Sequence, residues 1–268
     1  MSLLFAPLEK KPELLANLYL YAVLPGFSDL LKHCPLARAK LGHHSFSLRL
    51  QSGSLQADLY FSKGRCRFFR NPALRPQIIL RYLSLSQLNH QFNGKGFALP
   101  LPSRGATRLG DLQAFSALAG LLQEGLLSSR NLIERGLESS LARSIHIRLT
   151  LGCVMAAGAE LINKETFSKN LFATSGDWLI DFSIASTDMK AWLERRGGIC
   201  HWGRGAPPRS PGASLEFASE AAALEALSGN VDTLAMVNLR TIRLRGHTPL
   251  LDKLEPVFAR IDPYLKPQ

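Results

Sequence analysis

The stretch Ser45-Phe-Ser-Leu-Arg-Leu-Gln-Ser-Gly-Ser-Leu-Gln-Ala-Asp-Leu-Tyr-Phe-Ser-Lys-Gly-Arg-Cys-Arg-Phe-Phe69 holds three apolar segments separated by two glycine turns. Phe46, Leu48 and Leu50 alternate with Ser45, Ser47 and Arg49, which is the two-residue period of a strand with one buried face. Gly53 turns the chain into Leu55–Phe61, and Lys63-Gly64 turns it into Arg65–Phe69. Strands joined by turns this short pair antiparallel. A fourth strand is predicted over Gln77–Leu83. Beyond it Ser84 or Ser86 caps a helix over Leu85–Phe92, with Gly94 just past its end. Further on, Asp111 is placed as the cap of Leu112–Gln123, whose Leu112, Phe115, Leu118 and Leu122 face inward. Upstream, Leu14–Leu24 and Ser28–Leu41 read as apolar helices.

The same order of segments recurs downstream. At an offset of 131, Leu18–Leu24 faces Leu149–Met155, Asp29–Leu31 faces Glu160–Ile162, Arg38 meets Lys169 and Leu41 meets Phe172. At 134, Phe46, Leu48 and Leu50 face Ile180, Phe182 and Ile184, while Ala57, Leu59, Gly64, Cys66 and Phe68 meet Ala191, Leu193, Gly198, Cys200 and Trp202. At 135, Leu80 and Tyr82 face Leu215 and Phe217, and at 136, Phe115, Leu118 and Leu122 face Leu251, Leu254 and Phe258. The offset only grows, as small loop insertions would make it, so the chain reads as one unit written twice.

The second copy adds helices over Ile145–Ile162 and Lys164–Phe172, a strand over Ala213–Ala218, and Ser219 capping Glu220–Ser228 before Gly229. A fifth strand, Leu239–Leu244, puts Ile242 and Leu244 on one face. Thr248 and Pro249 then stand at N-cap and N1 of a last helix whose stripe is Leu250, Leu251, Leu254, Val257, Phe258 and Ile261. In the first copy Pro100, Pro102 and Gly105 within Lys95–Thr107 work against the matching strand. The expected architecture is α+β: two tandem units, each a mostly antiparallel five-stranded sheet with helices covering one face. The expected domains are 1–125 and 145–268, with 126–144 as a helical linker.

Composition bounds the functions. With 46% apolar and 20% charged residues the 268-residue chain is globular. No run of consecutive apolar residues reaches the roughly 18 that suggest a membrane span, and Met1–Pro12 makes a poor signal peptide because its charges follow the apolar stretch. Cys34, Cys66, Cys153 and Cys200 are too scattered for a CxxC metal site or a dense disulfide framework, so a reducing cytoplasm is the expected setting. The net charge of +11 is uneven: residues 1–134 hold 16 Lys/Arg against 7 Asp/Glu, and residues 135–268 hold 16 against 14. Arg65, Arg67, Arg70, Arg75 and Arg81 concentrate the excess and are candidates for contact with an anionic surface.

Catalytic signatures are weak. His43-His44 and Cys200-His201 are adjacent residues of extended chain, expected to point apart, and so make poor chelates or dyads. Gly94-Lys-Gly96 and Gly203-Arg-Gly205 lack the third glycine of a dinucleotide fingerprint, and no GxSxG, HExxH or P-loop occurs. No catalytic residue, metal or cofactor is expected.

The run Leu224-Glu-Ala-Leu-Ser-Gly-Asn-Val-Asp-Thr-Leu-Ala-Met-Val-Asn-Leu-Arg-Thr-Ile-Arg-Leu-Arg-Gly246, followed by the leucine-rich helix, resembles the sterol carrier protein type 2 domain family. Gly229, Asp232, Ile242, Leu244, Gly246 and Leu254 occupy the positions of that pattern, and Phe46–Phe69 with Gln77–Gly94 resemble its upstream part. The resemblance implies an apolar tunnel between sheet and helices that takes a sterol, fatty acyl or isoprenoid lipid, with no catalytic residue from the domain. Its candidate lining is Leu224, Leu227, Met236, Ile242, Leu244, Leu251, Leu254 and Phe258 in the second copy, and Phe92, Phe115, Leu118 and Leu122 in the first. The expected function is therefore non-enzymatic lipid binding, carriage or presentation, with peripheral contact to an anionic membrane through the basic first copy. The alternatives are nucleic-acid binding by that basic face, against which no RNP, KH or zinc motif is present, and a scaffolding pair with closed cavities.

Overall fold

The computed structural model describes residues 8–9, 11–71, 75–93, 100–227, 236 and 238–265. Gly94, Lys95, Gly96, Gly229 and Asp232, used in the readings above, lie outside the described residues. Strands β1 (Phe46–Ser52), β2 (Leu55–Ser62), β3 (Arg65–Phe69), β4 (Ile78–Tyr82) and β5 (Leu101–Arg104) form one sheet in the order β3-β2-β1-β4-β5. Strands β6 (Trp178–Ile184), β7 (Lys190–Arg196), β8 (Ile199–Arg204), β9 (Ala213–Phe217) and β10 (Ile242–Gly246) form a second, β10-β9-β6-β7-β8, the same order read from the other edge. In each sheet three neighbouring pairs are antiparallel, and the fourth, β1 with β4 or β6 with β9, is parallel. The chain is α+β with two tandem sheet-and-helix units.

Pairing registers give the repeat independently of residue type. Leu59 pairs with Phe68 as Leu193 pairs with Trp202, an offset of 134 in both strands. Leu48 pairs with Leu59 and Ile78, whereas Ile180 pairs with Leu193 and Ala213. The equivalent of Leu48 is therefore Ile180 and that of Leu50 is Phe182, an offset of 132 in β1 instead of the expected 134. A slip of two residues leaves every side chain on its expected face, so apolar alternation cannot detect it. The extra pair of residues sits in the first hairpin. Ser52 pairs with Leu55 across Gly53-Ser54, with Gly53 at φ +57°, while the second copy spans Ala185–Asp188. A fifth strand does form in the first copy, despite its prolines. Its pairing with β4 breaks register between Ile79 and Leu80, opposite Pro102, which has no N–H for the ladder.

The first unit spans Lys11–Leu149 and the second Thr150–Lys266, to which Glu9 also belongs. The boundary lies inside a helix, and the stretch expected as a linker packs with the first unit, where Leu132, Leu137 and Ala142 are buried. In the first unit α1 (Pro12–Leu18), a π-helical turn (Tyr19–Val23), α2 (Gly26–His33), α3 (Pro35–Leu41), α4 (Leu85–Phe92), α5 (Leu109–Leu127) and α6 (Ser129–Glu134) precede α7 (Ser139–Lys164). The second unit adds α8 (Thr166–Leu171), α9 (Glu220–Leu227), α10 (Thr248–Phe258) and α11 (Ile261–Leu265). The helical runs Pro12–His33 and Ser139–Lys164 are long and apolar enough to span a membrane by length and composition. Most of each run is buried inside the protein, as befits a core helix.

Side-chain caps set some helix starts. Ser84, not Ser86, caps α4: its Oγ accepts from Gln87 N at 3.1 Å. Ser219 Oγ accepts from Ala222 N at 3.2 Å. Asp111 does not cap α5. The helix begins two residues earlier, after Arg108, and Asp111 lies in its first turn. Likewise Thr248 is the first residue of α10, after His247. Each sheet packs one face against helices. In the first unit Phe27, Phe46, Phe61 and Phe115 meet with ring centroids 4.8–6.3 Å apart. In the second, Phe258 of α10 lies 6.0 Å from Phe182 and against Gly158 of α7, where a Cβ would come within 2.8 Å of its ring. Equivalent cysteines anchor one edge strand of each sheet to a helix: Cys66 O accepts from Ser28 Oγ, and Cys200 exchanges both backbone hydrogen bonds with the Asn163 amide.

Candidate functional site

Apolar side chains at helical spacing lie between each sheet and its helices among the described residues. Leu118, Leu122, Met236, Ile242, Leu251 and Leu254, all expected tunnel residues, are buried. Phe92, Phe115, Leu224, Leu227, Leu244 and Phe258 are half-buried. Phe92 stacks on Tyr19 at 5.0 Å, and the Tyr19 hydroxyl donates to Asn93. Phe115, Leu118 and Leu122 thus occupy the first unit's core.

An open cleft lies on the other side of α5. Leu36 and Lys40 of α3 face Ala117, Gly120, Leu121 and Glu124 of α5, with Arg135 at the rim, around a volume of about 450 Å³. A cleft of that size falls in the range of small-ligand sites, about 300–1,000 Å³. Gly120 opens it, since a Cβ there would meet nothing within 4 Å. Arg135 is held by Glu124 at 2.6 Å, while Lys40 has no carboxylate partner among the described residues. On this helix the apolar period marks Leu112, Phe115, Leu118 and Leu122, and nothing in the sequence marks Ala117 or Gly120.

The open faces of the two sheets differ in charge. On the first, the register sets Arg65 and Arg67 of β3 beside Ser62 and Tyr60, and Arg81 of β4 between Gln51 and Leu101. Arg104, which the proline-rich sequence concealed, pairs with Ile79 on the same face. Asp58 is that face's acid, and Arg49 grips it with two hydrogen bonds of 2.7 and 2.9 Å. Arg65, Arg67, Arg81 and Arg104 are exposed, with no carboxylate partner among the described residues. Of the other two expected arginines, Arg75 borders this same face, next to its Ser47 and Tyr60, and Arg70 lies beside Tyr21. Arg70 covers the Tyr21 ring at 4.2 Å, and Arg75 lines a cleft of about 270 Å³ with Ser45, Phe46, Ser47, Tyr60 and Gln77. On the second sheet, acids answer the basic groups: Glu216 pairs with Arg243 at 3.2 Å and Glu194 with Arg209 at 2.8 Å.

The reactive-looking pairs have structural surroundings. His43 and His44 do not diverge as expected: their rings stack at 5.1 Å and 14°. They can stack because His44 is turned toward α5, its Nδ1 2.8 Å from Asp111, which also binds Arg108 at 3.0 Å. Among the described residues no three His, Cys, Asp or Glu side chains gather as a metal site. All four cysteines are buried and free, and burial pushes the Cys66, Cys153 and Cys200 thiols well above the ordinary range, away from the reactive thiolate.

No family model matches the chain, and no curated protein matches it. Among solved structures, the stereoselective inverting sec-alkylsulfatase Pisa1 from Pseudomonas sp. overlaps 54% of this chain at 9% identity and a TM-score of 0.29. A double mutant of that sulfatase overlaps 56% at 12% identity and 0.27. The match spans 28% of each of those chains, an overlap too slight to define a common fold.

Proposed function

We propose that this chain binds and carries or presents an apolar ligand, a sterol, fatty acyl or isoprenoid lipid, without catalysing a reaction on it, as two tandem sterol-carrier-like units. The observation that carries this reading is the 450 Å³ cleft between α3 and α5, walled by Leu36, Ala117, Gly120 and Leu121. Each methylene that leaves water there contributes roughly 0.8 kcal/mol. Lys40 at the edge adds a cation suited to an acyl carboxylate, which favours a fatty acid over a neutral sterol in this cleft. The aromatic cluster of Phe27, Phe46, Phe61 and Phe115 between sheet and helices of the first unit instead favours a scaffolding role with closed cavities.

One experiment separates the two. Native mass spectrometry of gently purified protein and titration with a fluorescent fatty acid are expected to show a bound lipid and saturable binding. Gly120→Phe places a ring in the open cleft without backbone strain and is expected to weaken probe binding at least ten-fold with the fold intact. Protein that is always empty and binds no probe supports the scaffold.

A further inference from the structure

Arg65, Arg67, Arg81 and Arg104 share the first sheet's open face, all exposed and none neutralised by a carboxylate among the described residues. Two large aliphatic side chains stand out beside them. Leu83, immediately after β4, is 75% exposed, and Leu101, the cross-strand partner of Arg81, is 53% exposed. Leucines this open, next to uncompensated guanidinium groups, serve no purpose in the core. From this juxtaposition we infer that the open face of the first sheet is a docking surface for an anionic lipid membrane. It is independent of the ligand reading, because the cleft lies on the helix side of the same unit.

Charge complementarity supplies attraction and the leucines supply insertion. Arginines near a membrane of negative surface potential each strengthen partition about five-fold, an effect that fades within a Debye length. Leu83 and Leu101 can enter the boundary between headgroups and acyl chains, as the apolar side of a peripheral protein does. Single-stranded nucleic acid would use the arginines but requires rings on which bases stack. Here the rings are Tyr60, 38% exposed, and the half-buried Phe69 opposite Asp58, while the more open neighbours are aliphatic. Membrane is therefore the better fit.

Co-sedimentation of the full chain with phosphatidylcholine vesicles, with and without phosphatidylserine, tests the inference. Binding to the serine-containing vesicles alone is expected, falling steeply with added salt. The variant carrying Arg65→Gln, Arg67→Gln, Arg81→Gln and Arg104→Gln is expected to lose binding more than a hundred-fold. Insertion is read separately. Because all four native cysteines are buried, Leu101→Cys labels selectively with a polarity-sensitive dye. Its emission is expected to rise and shift to the blue on anionic vesicles, while a label at Leu127→Cys on α5 stays unchanged. Circular dichroism checks that each variant is folded, and the single-site labels report even if the quadruple variant is not. Absence of binding to anionic vesicles at low salt overturns the inference. So does binding that the quadruple variant retains, a Leu101 label that never responds, or tighter binding to a single-stranded oligonucleotide that displaces the vesicles.

Discussion

Two glycines five residues apart on α5 carry opposite expectations. At Gly120 an added Cβ meets open space, so Gly120→Ala is expected to raise stability by about 0.5–1 kcal/mol through the reduced entropy of the unfolded chain. At Gly125 the same Cβ would come within 2.8 Å of Leu149 and 3.5 Å of Leu132, so Gly125→Ala is expected to cost about 1–3 kcal/mol. Urea midpoints of the two variants check both signs. Asp181 offers a test by pH. Burial raises its carboxyl above the usual range, Lys190 offsets part of that, and Oδ1 has no hydrogen-bond partner. A raised folded value means the contribution favours folding below about pH 3.9, the unfolded value, and is lost as pH rises through the folded one. Asp181→Asn is therefore expected to overtake the native chain in stability as pH is raised from about 4 toward neutrality. Glu165 is buried with Arg260 at 2.7 Å and accepts from Tyr264 at 2.6 Å. Arg260→Met strands that carboxylate and is expected to cost about 3–5 kcal/mol in denaturant unfolding.

At the scale of elements, Ser84→Ala removes the α4 cap and is expected to lower stability by about 1 kcal/mol, read from the same midpoints. Strands and helices were legible where a period was sustained. Phe46–Phe69 announced three strands because alternation and glycine turns agreed. The pairing frame of β1 was not legible, since residues two apart on a strand are equivalent to the pattern; only the backbone ladder resolves which pairs with which. β5 was hidden by Pro100 and Pro102, which an edge strand tolerates at the cost of regular pairing. The π-helical turn at Tyr19–Val23 carries no recognisable residue signal. The same logic divides the candidate site. Arg65, Arg67 and Arg81 were legible by charge, but Arg104 became visible only with β5. The cleft was illegible because Ala117 and Gly120 matter there for the side chains they lack.

For the whole molecule, the uneven charge of the sequence becomes an uneven pair of surfaces. Replacing Arg65, Arg67, Arg81 and Arg104 by glutamine removes the same net charge as replacing Lys190, Arg196, Arg243 and Arg245. The first set is expected to advance elution from a cation exchanger more, because on the second sheet Glu194 and Glu216 already answer part of the charge. Matched salt gradients on the two variants measure the difference. The hairpin turns bear on a different use of the molecule. Two copies of one sheet keep the same strand order while bridging the first hairpin with two residues in one and four in the other. The Ala185–Asp188 turn, with Ser186 already at φ +61°, is therefore a ready port for grafting an epitope or a reporter peptide. Anything spliced in there inherits a rigid two-stranded stem, and the ladder beneath it has already shown its indifference to length.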